Sequence, residues 1–161
     1  MAFADTTGGN VQLGGSRARW QLIVVYRGRH CPICCDYLAK LKTVGAMLSD
    51  SGVELIAVSS DVKENAVGLA TELGLDYPLA YGLSVSAIRA LGLYLSATTP
   101  EQNNTGDRPP FAEPGFFLLT PQGKVGLVMI ASTPYVRPEL DLLLKGVVRM
   151  AKENYPIRGA D

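Results

Sequence analysis

The chain has 161 residues, 47% hydrophobic and 19% charged, a length and balance that suit one compact domain over residues 1–161 with a full core. Fifteen Lys and Arg offset 15 Asp and Glu, a formal charge of zero, which argues against a dedicated nucleic-acid surface and a polybasic membrane anchor. The N-terminus lacks the basic, apolar and cleavage segments of a leader, no apolar run approaches a membrane span, and the three cysteines fall too close together to staple a secreted fold, so a soluble protein of the reducing cytoplasm is expected.

In chain order, Val11 to Leu13, bracketed by Gly8-Gly9 and Gly14-Gly15, reads as a short edge strand. Trp20 to Tyr26 reads as the first core strand, its Leu22 to Tyr26 run β-branched and aromatic without polar alternation, as in a central strand covered on both faces. The chain turns through Arg27-Gly28-Arg29-His30, and Cys34, Leu38, Leu41, Val44 and Leu48 then recur at helical spacing, predicting a helix over 32–48 that Asp50-Ser51-Gly52 stops. Val53 to Ser59 is a second strand. A helix near Val62 to Leu73 follows, capped by Asp61 and closed by Gly74.

Tyr77 to Tyr81 is a short extended segment, and Ser84 caps a helix over Val85 to Leu91 that ends at Gly92. Residues 97–113, rich in Pro, Asn and Gly, are expected to be a mobile loop. Phe116 to Thr120, the turn Pro121-Gln122-Gly123-Lys124 and Val125 to Ile130 read as a hairpin. A final helix from about Pro138 to Lys152 carries the stripe Leu140, Leu143, Leu144, Val147, Val148 and Ala151. Alternating strands and helices, then a hairpin and a closing helix, describe a mixed sheet sandwiched by helices, the order of a thioredoxin fold with extensions.

Cys31-Pro32-Ile33-Cys34 stands where the first core strand gives way to a helix, the setting of thioredoxin-like redox pairs. Pro32 suits a first-turn position because its missing N–H has no intrahelical partner. Cys31 at the helix start meets open N–H groups and the positive end of the dipole, which favour a thiolate. Arg27, Arg29 and His30 add positive charge. Cys34, on the stripe of Leu38 and Leu41, is the more shielded thiol.

Cys35 points ~100° round the helix from Cys34 and is expected to pack. His30 either assists a neighbouring thiolate or simply shields the pair. Arg137, just before Pro138, reaches the site only if its loop folds back and otherwise reads as a surface residue near a helix start, and Tyr81 and Tyr94 read as pocket rim or packing. One His and no second cysteine pair leave too few ligands for zinc, and no cofactor is expected.

Tyr26 to Cys34, followed later by Pro114-Gly115-Phe116-Phe117-Leu118-Leu119-Thr120-Pro121-Gln122-Gly123-Lys124, resembles peroxiredoxin-like proteins of the alkyl hydroperoxide reductase and thiol-specific antioxidant family. The resemblance extends over nearly the whole chain, taking in the Val11 to Leu13 strand, Ser59-Ser60-Asp61 and Tyr77-Pro78-Leu79. It implies a thioredoxin-like α/β fold, a central mixed β-sheet flanked by helices with an N-terminal extension and an insertion. In the family segment Pro-x-x-x-Thr-x-x-Cys, the last Cys attacks peroxide. It falls on Cys34, with Cys31 at the Thr and Arg27 at the Pro. The family's Arg, just before the Phe-containing strand, falls on Pro114. Cys31 in place of Thr makes the segment equally similar to the Cys-x-x-Cys of thioredoxins, and Pro114-Gly115 resembles the loop holding their cis-proline, with Gly115 at that proline's place.

Two mechanisms follow. In the first, the Cys34 thiolate attacks a hydroperoxide and becomes a sulfenic acid that Cys31 or Cys35 resolves, with an external thiol such as a thioredoxin-like protein as reductant. In the second, Cys31 is the exposed attacking thiolate of a disulfide oxidoreductase and Cys34 displaces the mixed disulfide. Candidate catalytic residues are Cys34, Cys31, His30 and Arg27. A redox-inactive binding module is a third reading, against which the intact cysteine pair speaks. The resemblance also allows a homodimer.

Overall fold

The computed structural model describes residues 1–97 and 110–158. Its centre is β3 (Trp20–Val25), where all six residues are buried. Leu22 and Val24 face one apolar cluster and Ile23 and Val25 the other, the alternation a pleated strand imposes. Full burial of each such side chain contributes about 1.5–3 kcal/mol, which explains why the run is apolar from Leu22 on, while the buried Gln21 is satisfied by accepting from Gly14 N–H and donating to Gln12 C=O and Glu54.

Before β3, β1 (Ala2–Ala4) and β2 (Asn10–Gln12) pair antiparallel as a separate ribbon. The expected edge strand near Val11 therefore exists, but its partner is the chain's own start, and it lies outside the main sheet. After β3 come α1 (Pro32–Lys42), α2 (Gly45–Asp50), β4 (Val53–Val58), α3 (Lys63–Leu73), β5 (Leu79–Ala80), α4 (Val85–Ala90) and β6 (Leu95–Ser96). Following the undescribed stretch are β7 (Phe111–Ala112), β8 (Gly115–Leu119), β9 (Val125–Ile130) and α5 (Leu140–Lys152). The five-stranded sheet has the order β5-β4-β3-β8-β9. β3 is parallel to β4 and antiparallel to β8, so the expected mixed sheet flanked by helices is present. Side chains of α1, α3 and α5 pack on one face, while α4 and the β1–β2 ribbon cover the other.

Four boundaries differ from the sequence reading. The helix expected over 32–48 is broken after Lys42: the Thr43 hydroxyl bonds back to the Lys40 carbonyl at 2.7 Å, and Val44 leaves helical geometry with ψ 0°. A hydroxyl competing for a helix carbonyl commonly bends or ends the ladder. Asp61 does not cap α3; Val62 occupies that place without a side-chain bond, and the Asp61 carboxylate is used elsewhere. The closing helix starts at Leu140 because the Glu139 carboxylate caps it, accepting from Asp141 N–H at 3.2 Å and Leu142 N–H at 2.8 Å. In the loop expected over 97–113, Phe111–Ala112 instead forms a strand paired with Leu95–Ser96, and residues 98–109 lie outside the described residues.

Gly74, at φ +57°, closes α3 as expected. Among the described residues no peptide bond is cis, and no helix is long and apolar enough to cross a membrane.

Candidate active site

The turn that delivers the cysteines is built around Gly28. Its φ of +135° is closed to ordinary side chains, and a Cβ there would stand 2.7 Å from Asp61 Oδ1 and 2.9 Å from His30 Nδ1. Asp61 holds the next peptide, its Oδ2 accepting Arg29 N–H at 2.7 Å. Cys31 N–H then donates to Gly28 C=O at 3.1 Å, and α1 begins.

Cys31 is the N-cap of α1, with Pro32 just inside. Its Sγ accepts the Cys34 N–H at 3.3 Å, so the sulfur occupies the anion-favouring position that the helix start provides. Cys34 lies one turn on and is bonded to Cys31 as a disulfide across a Cα–Cα distance of 5.2 Å. Cys31 is 3% exposed and Cys34 0%. The order of shielding is as expected, but Cys31 is buried too, contrary to its reading as an exposed thiolate. Tyr77 fixes the helix from behind, its hydroxyl donating to Leu38 C=O at 2.8 Å.

Arg137 overturns the reading of a surface arginine. Its Nη2 donates to Cys34 Sγ at 2.9 Å, and its Nε donates to Pro134 C=O at 2.9 Å. The guanidinium lies 5.3 Å from the centre of the Tyr37 ring. Tyr37 in turn donates its hydroxyl to Pro138 C=O at 3.1 Å, tying the arginine's segment to α1. Burial is the main cause lowering the Arg137 pKa, with Arg27 acting in the same direction and Tyr37 and Glu113 against it. Burial pushes the Tyr37 phenol up to about 12, opposed by Arg137.

The remaining candidates gather on Phe111. The His30 ring meets it edge-on at 4.7 Å, and the Arg27 guanidinium lies 4.7 Å from its centre. Arg27 Nε is 3.4 Å from Glu113 Oε2, and Glu113 is buried. Arg29 turns away: it pairs with Glu72 on α3 at 3.1 Å and lies over Gly68. Cys35 is half-buried, with its thiol towards Arg29 C=O at 3.6 Å. Burial, then Glu72, Asp36 and Asp61, push its pKa up, which suits the packing role expected of it. Tyr94 is exposed and Tyr81 half-buried. Among the described residues no group of three or more His, Cys, Asp or Glu is placed to hold a metal ion.

The sequence reading thus missed Glu113 and Phe111 and set Arg137 at the surface in preference to the site. Arg137 carried no spacing signal, since 103 positions separate it from Cys34. Glu113 carried none either, since only the antiparallel register of β3 and β8 that pairs Val25 with Gly115 sets position 113 opposite position 27.

The sequence profile of the AhpC/TSA family matches residues 1–128. No curated protein matches the chain in sequence. Among solved structures, a peroxiredoxin-like protein from Aquifex aeolicus is 16% identical with a TM-score of 0.74, over 91% of this chain and 80% of its own. Peroxidoxin BcpB from Mycobacterium tuberculosis is 14% identical with a TM-score of 0.71, over 97% of this chain and 94% of its own. The bacterioferritin comigratory protein of Xanthomonas campestris, described for its alkyl peroxide reduction activity, is 17% identical with a TM-score of 0.70, over 96% of this chain and 91% of its own. At such identities these likenesses show the fold.

Proposed function

The chain belongs to the AhpC/TSA family, and on that footing we propose that it reduces hydroperoxides through a thiol cycle in which Cys34 attacks and Cys31 resolves. The observation that carries this assignment is the Arg137 guanidinium 2.9 Å from Cys34 Sγ. A cation at that distance favours the thiolate over the thiol and stands where the charge of a departing peroxide oxygen develops. The family resemblance implies Pro114 at the place of the peroxidases' arginine; here Arg137 supplies the cation from a different part of the chain.

The Cys34 thiolate attacks one peroxide oxygen, the O–O bond breaks, and the departing alkoxide takes a proton to leave as an alcohol. Cys34 is then a sulfenic acid. The Cys31 sulfur, one helical turn away, attacks it; the S–S bond forms and water leaves. Two external thiols restore the dithiol by exchange and leave as their own disulfide. A thioredoxin-like protein fits the reductant's part, and a reducing cytoplasm fits the need to regenerate the pair. The alkyl peroxide reduction described for the Xanthomonas protein supports the substrate class. A homodimer, which the family resemblance allows, is tested by mass in solution.

Reduced Cys31→Ser protein treated with hydrogen peroxide and a sulfenic-acid trap should carry the trap on Cys34. Undiminished peroxide consumption by Cys34→Ser would overturn the assignment. The Cys31 sulfur on the Cys34 N–H supports one further reading, a disulfide oxidoreductase with Cys31 as the attacking thiolate. Turnover of a disulfide substrate without trapping on Cys34 selects it.

A further inference from the structure

Arg27 and Glu113 continue the antiparallel register of β3 and β8, each two positions beyond the pair Val25 and Gly115. Cross-strand neighbours have Cβ atoms about 5 Å apart, and the two side chains meet at 3.4 Å. The Glu113 carboxylate is 4% exposed. Its Oε1 accepts from Ser96 Oγ at 2.6 Å, and the residue's own N–H donates to Tyr94 C=O at 2.8 Å. A carboxylate removed from water is costly unless paired, and this one is anchored by β6 on one side and by Arg27 on the other.

Burying that charge has a consequence for the cysteine. Arg27 and Arg137 act on each other as like charges, and Glu113 is the carboxylate that acts on Arg137 in the opposite sense. Tyr37 is the titratable group facing Arg137 from α1. Two guanidinium groups acting on each other as like charges, with neither offset, would drive the less anchored one away. Arg27 is held between Glu113 and the Phe111 ring, whereas Arg137 reaches in from a loop. With Glu113 present, the three side chains leave one positive charge, which a Cys34 thiolate matches.

We propose that Glu113 is a positioning residue: by holding Arg27 at the end of the β3–β8 ladder and offsetting its charge, it keeps the Arg137 guanidinium seated on the Cys34 sulfur. Its bearing on peroxide turnover rests on the reading of Cys34 as the attacking thiol. The positioning itself is tested without peroxide.

A Cys31→Ser/Cys35→Ala background leaves Cys34 as the sole thiol of the chain, and the pH dependence of its alkylation by iodoacetamide gives its pKa. Adding Glu113→Gln should raise the midpoint by about one unit, as expected when an adjacent cation is lost. Adding Arg27→Gln as well removes the repelling charge and should bring the midpoint back. Deleting a negative charge that merely lies nearby would lower the midpoint. A downward shift, no shift, or a double variant that does not recover overturns the proposal. If Glu113→Gln does not fold, Ser96→Ala, which releases one anchor of the carboxylate, should give a smaller upward shift, and its absence counts against the proposal equally. A protein inert to peroxide that still shows the shift and its rescue fails the peroxidase reading alone.

Discussion

The Arg137 guanidinium lies 2.9 Å from the Cys34 sulfur, joined across 103 positions of sequence by the fold alone. Replacing it with Gln removes the side-chain cation seated on that sulfur. The Cys34 thiol pKa should rise by a unit or more, reducing the thiolate near neutral pH, and the second-order rate with hydrogen peroxide should fall roughly 100-fold. Arg137→Lys should retain part of the rate, because a point charge keeps the electrostatics but loses the planar fork. Stopped-flow peroxide kinetics between pH 5 and 9 would check both. A wild-type rate in Arg137→Gln would remove the guanidinium from the mechanism.

The segment carrying that arginine is tied down by Tyr37, whose hydroxyl donates to Pro138 C=O. Tyr37→Phe keeps the ring under the guanidinium and deletes one hydrogen bond, worth about 1 kcal/mol. Urea unfolding should show a loss of that order. The peroxide rate should fall several-fold, far less than for Arg137→Gln, since the arginine keeps its bond to Pro134.

Gly28 is required on two counts, a φ of +135° and the space taken by Asp61 and His30. Gly28→Ala is expected to cost about 1–3 kcal/mol through backbone strain. It should also loosen the hold of Asp61 on Arg29 N–H, the contact that sets the approach to Cys31. Thermal melting would report the first effect. Faster amide exchange at Arg29 would report the second.

How legible these contacts were in the sequence depended on whether a local pattern encodes them. The strand over 20–25 and the cysteine-bearing helix start could be read because burial and helix geometry impose spacing, and Pro32 marks the first turn. The break after Lys42 could not, because the apolar stripe runs through to Leu48 while a single Thr43 hydroxyl ends the ladder. Asp61 looked like a helix cap since that role needs only a carboxylate before a helix; its actual use, on Arg29 N–H, depends on two loops meeting. Arg137 and Glu113 belong to the same class. Each acts on a group brought near by sheet register or by a returning loop, and neither leaves a periodic trace.

Cys35 supplies the contrast that tests the site's asymmetry. Burial and the carboxylates of Glu72, Asp36 and Asp61 raise its pKa above the ordinary 9.0, so near neutral pH it holds its proton more firmly than a cysteine in an unfolded chain. Its alkylation in the folded protein should therefore be slow at pH 7 and still rising beyond pH 9. Unfolding in urea should abolish that lag. The same sign governs stability: the thiolate is disfavoured in the folded state, so this group costs nothing below its unfolded pKa and destabilises the fold as pH rises towards the folded one. Cys35→Ser should leave peroxide turnover unchanged within about twofold, because its thiol faces Arg29 C=O while Cys31 is the sulfur paired with Cys34. A large loss in that variant would make Cys35, and not Cys31, the sulfur that resolves Cys34.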